Sequence, residues 1–597
     1  MSDFDVVIRN GTVIDGSGAP PFIADVGIRN GVIAAVGDCP GVADEVIDAD
    51  GKLVVPGFVD VHTHYDGQVT WDNRLSPSSQ HGVTSVVLGN CGVGFAPCRP
   101  DQHDLLVKVM EGVEDIPEVV LAEGVPWEWE TFPEYLDFLS TRSFDVDCAA
   151  YVPHAALRVY VMGMRAVRRE PSTQEDRRQM KALVTEAVRA GAVGVSCSRL
   201  LSHRDSDGNL APHVHTDTEE LFALAEGLRD AGSGVFQIAA AFSNQNLKTI
   251  KSDDDALTPQ EAARREVELL VRLCRISGRP LTFALALLND MPEIAGEVLR
   301  LIGDANREEG VSIVAQVFPR PVGILFGLDL TLNPFSFHPS YMALEHLPLA
   351  DRVAEMRKPE VRERILAEEP DSDQPDPVKY FLVLRSLDAF PSEGQIDYEP
   401  ELADGLRAIA DREGRSIYEV AYDRLLGDDG KAVLFLPITN FPGTLDPVSE
   451  LLNSEDTIVA LGDGGAHLGL ICDASYPTFL LTYWVRDRSK GAGPQLDLSS
   501  AINRLTLRPA KLFGLHDRGM IAEGMRGDIN VIDFDALHLH GPEIAFGLPA
   551  GGRRLVQRVD GIEATMVSGV VTHRHGKATD KLPGRLLRNP ARQPSCV

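Results

Sequence analysis

Between residue 57 and about residue 513 the chain repeats one unit, a short apolar run followed by a stretch of helical periodicity. The runs Ser85-Val-Val-Leu-Gly, Ala192-Val-Gly-Val-Ser, Gly234-Val-Phe-Gln-Ile-Ala, Leu281-Thr-Phe-Ala-Leu-Ala, Val311-Ser-Ile-Val-Ala-Gln and Thr457-Ile-Val-Ala-Leu-Gly do not alternate apolar with polar. That is the texture of parallel strands covered on both faces. Residues 175–190 and 219–231 carry helical periodicity, the second behind Thr216-Asp-Thr-Glu219, which reads as a capping box. Parallel strands need helical crossovers, and a series of such units predicts an α/β fold closed into a barrel. The stretch is longer than a minimal barrel. Residues 101–139 and 336–428, rich in acidic residues, Pro and helix formers, are expected to be insertions that cover the mouth or join subunits. Both ends are β-rich. Asn10-Gly11 and Asn30-Gly31 lie between short β-prone runs and predict hairpin turns, and similar texture returns in Gly527-Asp-Ile-Asn-Val-Ile-Asp-Phe and Ala564-Thr-Met-Val-Ser-Gly-Val-Val-Thr. A few hairpins alone bury too little, so the two ends are expected to pair with each other. Residues 585–597 read as a loose tail.

Charge and cysteine usage narrow the function classes. The 88 acidic against 57 basic residues leave a formal charge of −31, which disfavours phosphate backbones and anionic bilayers, so neither a nucleic acid nor a membrane is expected as partner. Eight cysteines are scattered without a C-x-x-C pair, the usage of a reducing cytosol. There is no basic leader followed by an apolar core and no apolar stretch of the roughly 18 residues that span a bilayer, so the expected location is the cytoplasm.

The chemistry begins at His62-Thr-His64, which ends the run Leu53-Val-Val-Pro-Gly-Phe-Val-Asp-Val. Residues two apart on a strand share a face, so both imidazoles project together from the end of a first barrel strand, as a metal requires. An isolated H-x-H is more often two ordinary histidines. Here Pro56-Gly57-Phe58-Val59-Asp60 precedes it, and the combination resembles the amidohydrolase superfamily. Thr506-Leu-Arg-Pro-Ala-Lys-Leu-Phe-Gly-Leu, with Gly519 to Asp533 behind it, resembles that superfamily's return from the last barrel helix. Gly89-Asn-Cys91-Gly-Val-Gly-Phe-Ala-Pro, Thr439-Asn-Phe441, Leu461-Gly-Asp463-Gly-Gly and Glu111-Gly-Val-Glu-Asp-Ile116 are similar to the N-acyl-D-amino-acid deacylase (D-aminoacylase-like) branch. The resemblance implies a (β/α)8 TIM-like barrel at residues 57–513, and a small β-sandwich built from residues 1–56 and 514–584. It also implies metal-dependent hydrolysis of a C–N bond.

Carried over residue by residue, the resemblance makes His62, His64, Cys91 and Asp463 the metal ligands and Asp463 the catalytic carboxylate, which takes a proton from water and returns it to the departing nitrogen. Read alone, Asp463-Gly464 is also a turn signal, and a lone cysteine is usually a small buried apolar residue. A thiolate donor favours zinc over magnesium. The branch carries two further histidines, on strands matching Gly234-Val-Phe-Gln-Ile-Ala and Leu281-Thr-Phe-Ala-Leu-Ala, and neither segment has one; no histidine lies between His215 and His338. The expected cofactor is therefore one divalent ion, zinc by its donors. His154, Arg199, Arg320, His467, Asp66 and Gln68 are candidate substrate-binding residues, the two arginines as bidentate clamps for a carboxylate. His213-Val-His215 reads as plain loop. The expected substrate is a small-molecule amide, foremost an N-acyl amino acid, and the expected assembly a homo-oligomer. Hydrolysis of another amide, imide or carbamate, or a barrel that has lost catalysis and serves as a scaffold, are the alternatives.

Overall fold

The apolar runs fold as eight strands in a computed structural model that describes residues 2–214, 216–242, 257–374, 376–392, 394–491 and 496–588. They are β1 (Phe58–Asp60), β2 (Val83–Leu88), β3 (Asp147–Pro153), β4 (Gly194–Ser198), β5 (Val235–Ala239), β6 (Leu281–Ala284), β7 (Ile313–Val317) and β8 (Thr457–Val459). They lie side by side in chain order, and every ladder between neighbours is parallel. The curled sheet is that of a TIM-like barrel. β1 and β8 meet beyond their ends, where Thr63 bridges Gly464, the Asp463 N–H donates to the His62 carbonyl (3.1 Å) and the His64 N–H donates to the Gly464 carbonyl (2.8 Å). The seam is thus tied at the residues expected to hold the metal.

Helices Gln174–Ala190 and Thr218–Ala231 fall where periodicity predicts them. The capping box at Thr216 and Glu219 does not form. The helix starts at Thr218 with Asp217 as N-cap and no side-chain cap bond. This start puts Glu220 at the third helical position, where it turns inward to accept from His154 and Arg158 instead of capping.

Both chain ends enter one nine-stranded sheet. Leu53–Pro56 runs antiparallel to Ile529–Ile532, and Phe4–Val13 takes two parallel neighbours along one edge, Ala43–Asp48 beside residues 4–9 and Leu53–Pro56 beside residues 12–13, so the sheet forks there. The two Asn-Gly pairs part ways. Asn30-Gly31 turns a hairpin between Phe22–Arg29 and Val32–Gly37 with φ 54° and 76°, as a two-residue turn with both centres left-handed requires. Asn10-Gly11 makes no turn: Phe4–Val13 is a single strand, and the pair sits at a register shift, with Asn10 left-handed at φ 58°.

Residues 101–139 form helices His103–Glu114, Glu118–Gly124 and Phe132–Ser140. The segment between β7 and β8 is larger than expected. It adds a three-stranded sheet of Val322–Gly327, Phe390–Ser392 and Val433–Thr439, and its own apolar cluster includes Phe326, Phe335, Tyr341, Met356 and Leu425. Asp115 joins the two segments near the mouth, accepting from Thr331 (3.0 Å) and from the Gly469 N–H (3.3 Å). One hairpin, His538–Phe546 with Arg553–Asp560, leaves the sheet of the chain ends and packs on the mouth, where the Leu555 N–H donates to the Leu468 carbonyl. The first residues of the expected loose tail are also bound: the Arg585 N–H donates to Asp147, and Leu586 bridges Cys148 on β3. Residues 589–597 lie outside the described residues.

Candidate metal centre

His62, His64 and Cys91 offer ligand atoms that all lie within 4.8 Å of one another. His62 Nε2 stands 3.4 Å from Cys91 Sγ and 3.4 Å from Asp463 Oδ1, and His64 Nε2 stands 3.7 Å from that same oxygen. Around a tetrahedral zinc, bond lengths of about 2.0–2.3 Å place neighbouring donors about 3.4–3.6 Å apart, so the spacing fits. One ring is aimed from behind. His62 Nδ1 donates to Gln316 Oε1 at 2.6 Å, whereas His64 Nδ1 makes no hydrogen bond among the described residues and lies 3.4 Å from Glu114 Oε1. The partner on His62 Nδ1 leaves Nε2 with its lone pair toward the ligand position, the second layer that metal-binding imidazoles use.

Cys91 follows β2 on a left-handed turn (φ 55°) that is tied on every side. The Gly89 N–H donates to Asp66 Oδ2, the Cys91 N–H to Gln237 Oε1 and the Gly92 N–H to Ser196 Oγ, while His213 Nε2 donates to the Cys91 carbonyl (3.0 Å). Asp463 and His467 are left-handed too, at φ 45° and 51°. Three side-chain-bearing residues held in this sparsely populated region around one point mark strain maintained by the surrounding fold.

Burial sets the protonation states. It lowers both imidazole pKa values, raises the Cys91 thiol with help from Glu114 and Asp463, and raises Glu114 with help from Asp463 and Asp66. Neutral imidazoles are the ligand form, and a cation would offset the cost of the thiolate and carboxylate beside them. At the ends of β5 and β6, where the resemblance implies two more histidines, stand Ala239, Ala284 and Leu285. They offer no ligand atom, which fits a single ion.

A model of the amidohydrolase family (Amidohydro_3) matches residues 45–573. The chain belongs to that family. A D-aminoacylase of Alcaligenes xylosoxydans xylosoxydans is 34% identical over 236 residues, 39% of this chain and 43% of the relative. An N-acyl-D-glutamate deacylase of the same organism is 27% identical over 599 residues, 98% of this chain and 97% of the relative. A crystal structure of D-aminoacylase superposes with a TM-score of 0.62 at 24% identity, covering 98% of this chain and all of that one. The D-aminoacylase-like branch of the amidohydrolases, and with it hydrolysis of amide C–N bonds, therefore stands for this chain.

The remaining candidates of this amidohydrolase are distributed unevenly. His467 lines a small cavity of about 20 Å³ together with Asp463, and its Nε2 lies 3.5 Å from Glu114 Oε2. Asp66, buried, serves the Cys91 turn, and burial raises its pKa to about 7. His154 lies behind that turn, 2.8 Å from Glu220, with its ring 6.0 Å from that of His213. Neither clamp is offered to substrate: Arg199 is taken by Glu266 (2.9 Å), and Arg320, fully buried, by Asp473 (3.0 Å). Gln68 is also turned away from the ion. Its Nε2 donates to the Arg74 and Ser76 carbonyls, and its Oε1 accepts from Arg554. His213 is no plain loop residue, being buried against Cys91; His215 lies outside the described residues.

Sequence reasoning missed Glu114, Gln237, Gln316 and Arg554. The two glutamines carried a signal, since a polar side chain inside an apolar parallel strand must face the barrel interior and find a partner there. Glu114 lay within the quoted Glu111-Gly-Val-Glu-Asp-Ile116 motif without being singled out, and Arg554 carried no signal, because the hairpin that brings it to the mouth lies outside the barrel repeat.

Proposed function

We propose that this amidohydrolase hydrolyses the linear amide of an N-acyl amino acid to a carboxylic acid and a free amino acid. The observation that carries the reading is the convergence of His62, His64, Cys91 and Asp463 at one tied seam of the barrel. His62, His64, Cys91 and Asp463 would hold a single divalent ion, zinc by the donor set, with room for water if one of them stays off it, and the ion would supply Lewis acidity toward that water and the amide carbonyl. Asp463 Oδ1, facing both imidazoles, takes the proton of the attacking water and passes it to the departing nitrogen. His467, in the cavity wall, donates to the oxygen on which charge develops. Gln316 keeps the His62 ring in register while the proton moves. The same reading takes the forked sheet of the chain ends as the family's β-sandwich and places the enzyme in the cytoplasm as a homo-oligomer; no helix among the described residues is long and apolar enough to cross a membrane.

Metal analysis of the purified protein, together with a panel of N-acyl-D- and L-amino acids, cyclic imides and carbamates, tests the reading. One tightly held equivalent, lost in His62→Ala along with turnover of the N-acyl amino acids, is the expected result. Turnover of imides or carbamates alone moves the substrate, and a protein that holds no metal and hydrolyses nothing overturns the reading in favour of an inert scaffold.

A further inference from the structure

Both arginines nominated from sequence are neutralised by internal carboxylates, and the net charge of −31 repels an anionic substrate at long range. A carboxylate therefore needs a different cation, close to the reacting centre. The small cavity that Asp463 and His467 line has a single Arg or Lys in its described lining, Arg554, supplied by the hairpin that crosses from the C-terminal sheet. We propose that Arg554 is the specificity-determining residue that receives the carboxylate of the substrate. The proposal rests on the N-acyl amino acid reading above and names the side chain that recognises the acid.

Arg554 differs from the other two in what it touches. Its Nη1 donates to Gln68 Oε1 at 2.8 Å and to the Ser76 carbonyl at 2.7 Å, and both partners are uncharged. Among the described residues it makes no ion pair, and Nε and Nη2 have no protein partner. Burial lowers its pKa, a cost that an incoming anion offsets. Gln68 is itself anchored, with Nε2 on the Arg74 and Ser76 carbonyls, so the guanidinium plane is held before any ligand arrives. The strap that holds it also backs the catalytic carboxylate. Gly464, next to Asp463, lies so close to Tyr65 and Ser78 that a Cβ there would come within 2.6 Å of Tyr65 Oη and 2.4 Å of Ser78 Oγ, two residues beyond the Ser76 carbonyl that fixes Arg554. Arg320 is engaged in this wall with Asp473, the Cys472 carbonyl and Gln557, which leaves Arg554 as the anion receptor.

The probes are N-acetylalanine and N-acetylalaninamide, in D and L forms, which differ in the carboxylate alone. In the metal-loaded wild type the acid is preferred, and Arg554→Met lowers the acid-over-amide ratio of kcat/KM by about 10- to 100-fold, mainly through KM, the range of a lost charge-assisted pair. Arg554→Lys restores part of the ratio. Gln68→Leu, which keeps the charge but releases the fork, lowers the ratio less and serves as second variant should Arg554→Met unfold by circular dichroism. A ratio equal in wild type and Arg554→Met overturns the clamp while hydrolysis of N-acyl amino acids stands. Wild type that hydrolyses the carboxamide and rejects every acid overturns both the clamp and the narrow substrate reading. If neither probe is hydrolysed, calorimetric binding decides: N-acetylalanine bound by wild type and released by Arg554→Met supports the clamp, and no binding by wild type overturns it.

Discussion

The barrel holds a polar cluster at each end, and the two are built on opposite rules. At the end where β2 and β3 begin, Arg518 reaches Asp147 (2.7 Å), Asp517 (2.9 Å), Asp528 (3.4 Å) and Ser85 (2.8 Å), and Arg526 reaches Asp147 (3.0 Å) and Asp528 (3.1 Å). Backbone N–H groups of Ser568 and Arg585 supply further bonds to the same aspartates. Every charge has an opposite charge, and the cluster rivets the sheet of the chain ends to the barrel floor. At the mouth, carboxylates face neutral imidazoles, one guanidinium has no carboxylate, and Cys91, Asp463 and His467 sit left-handed. Polar groups that are already satisfied hold structure. Groups left short of a partner are prepared for a ligand, and the fold spends stability on them.

Crossing the two clusters breaks the comparison most sharply. Asp463→Asn is expected to lower turnover by roughly 10²- to 10⁴-fold without loss of thermal stability, since it removes the proton carrier and a partly exposed negative charge near Glu114. Arg518→Met is expected to cost about 3–5 kcal/mol of stability, because Asp147 and Asp528 lose their shared cation in a site closed to water, while the fraction that remains folded keeps its metal. Chemical denaturation and metal content read both effects. An Arg518→Met protein of wild-type stability would show that the lower cluster is not the rivet described here.

The same division explains what was legible in the sequence. Parallel strands buried on both faces must be apolar throughout, so the barrel was visible as a succession of such runs, and period-two spacing put His62 and His64 on one face. The Asn-Gly signal is a local preference for left-handed backbone and does not say whether the chain reverses; Asn30-Gly31 turns, and Asn10-Gly11 bulges within a strand that neighbours on both edges keep extended. Arginine function was the least legible. Arg199, Arg320 and Arg554 look alike in sequence, and what separates them is whether a carboxylate from a distant segment, Glu266 or Asp473, reaches each one. Glu114 depended in the same way on a helix outside the barrel repeat folding back onto His64.

A smaller effect sharpens the account of the mouth. Gln316→Leu keeps the volume near His62 and removes the acceptor on Nδ1, freeing the ring to rotate or change tautomer. Loss of such a partner costs about 10- to 100-fold in metal affinity, read by competition with a chelator. Unchanged affinity would mean that Gln316 only fills space.

The smallest expected effect tests the claim that the end opposite the mouth serves stability, through a titrating group in the sheet of the chain ends. His573 is buried on Val570–Arg574, and burial, with Arg74 nearby, lowers its pKa from about 6.5 to about 4. A depressed histidine pKa means that the fold prefers the neutral ring. The stability this contributes is fully present above pH 6.5 and is lost as pH falls toward 4, where folding no longer keeps the proton off. A shift of this size is worth on the order of 2–3 kcal/mol across that window. Wild type should therefore lose stability between pH 7 and 4.5 more steeply than His573→Gln, which has no proton to take up, in urea titrations at the two pH values. Equal losses would assign the acid sensitivity to the other buried imidazoles, His81 and His203, whose pKa values burial lowers to about 3.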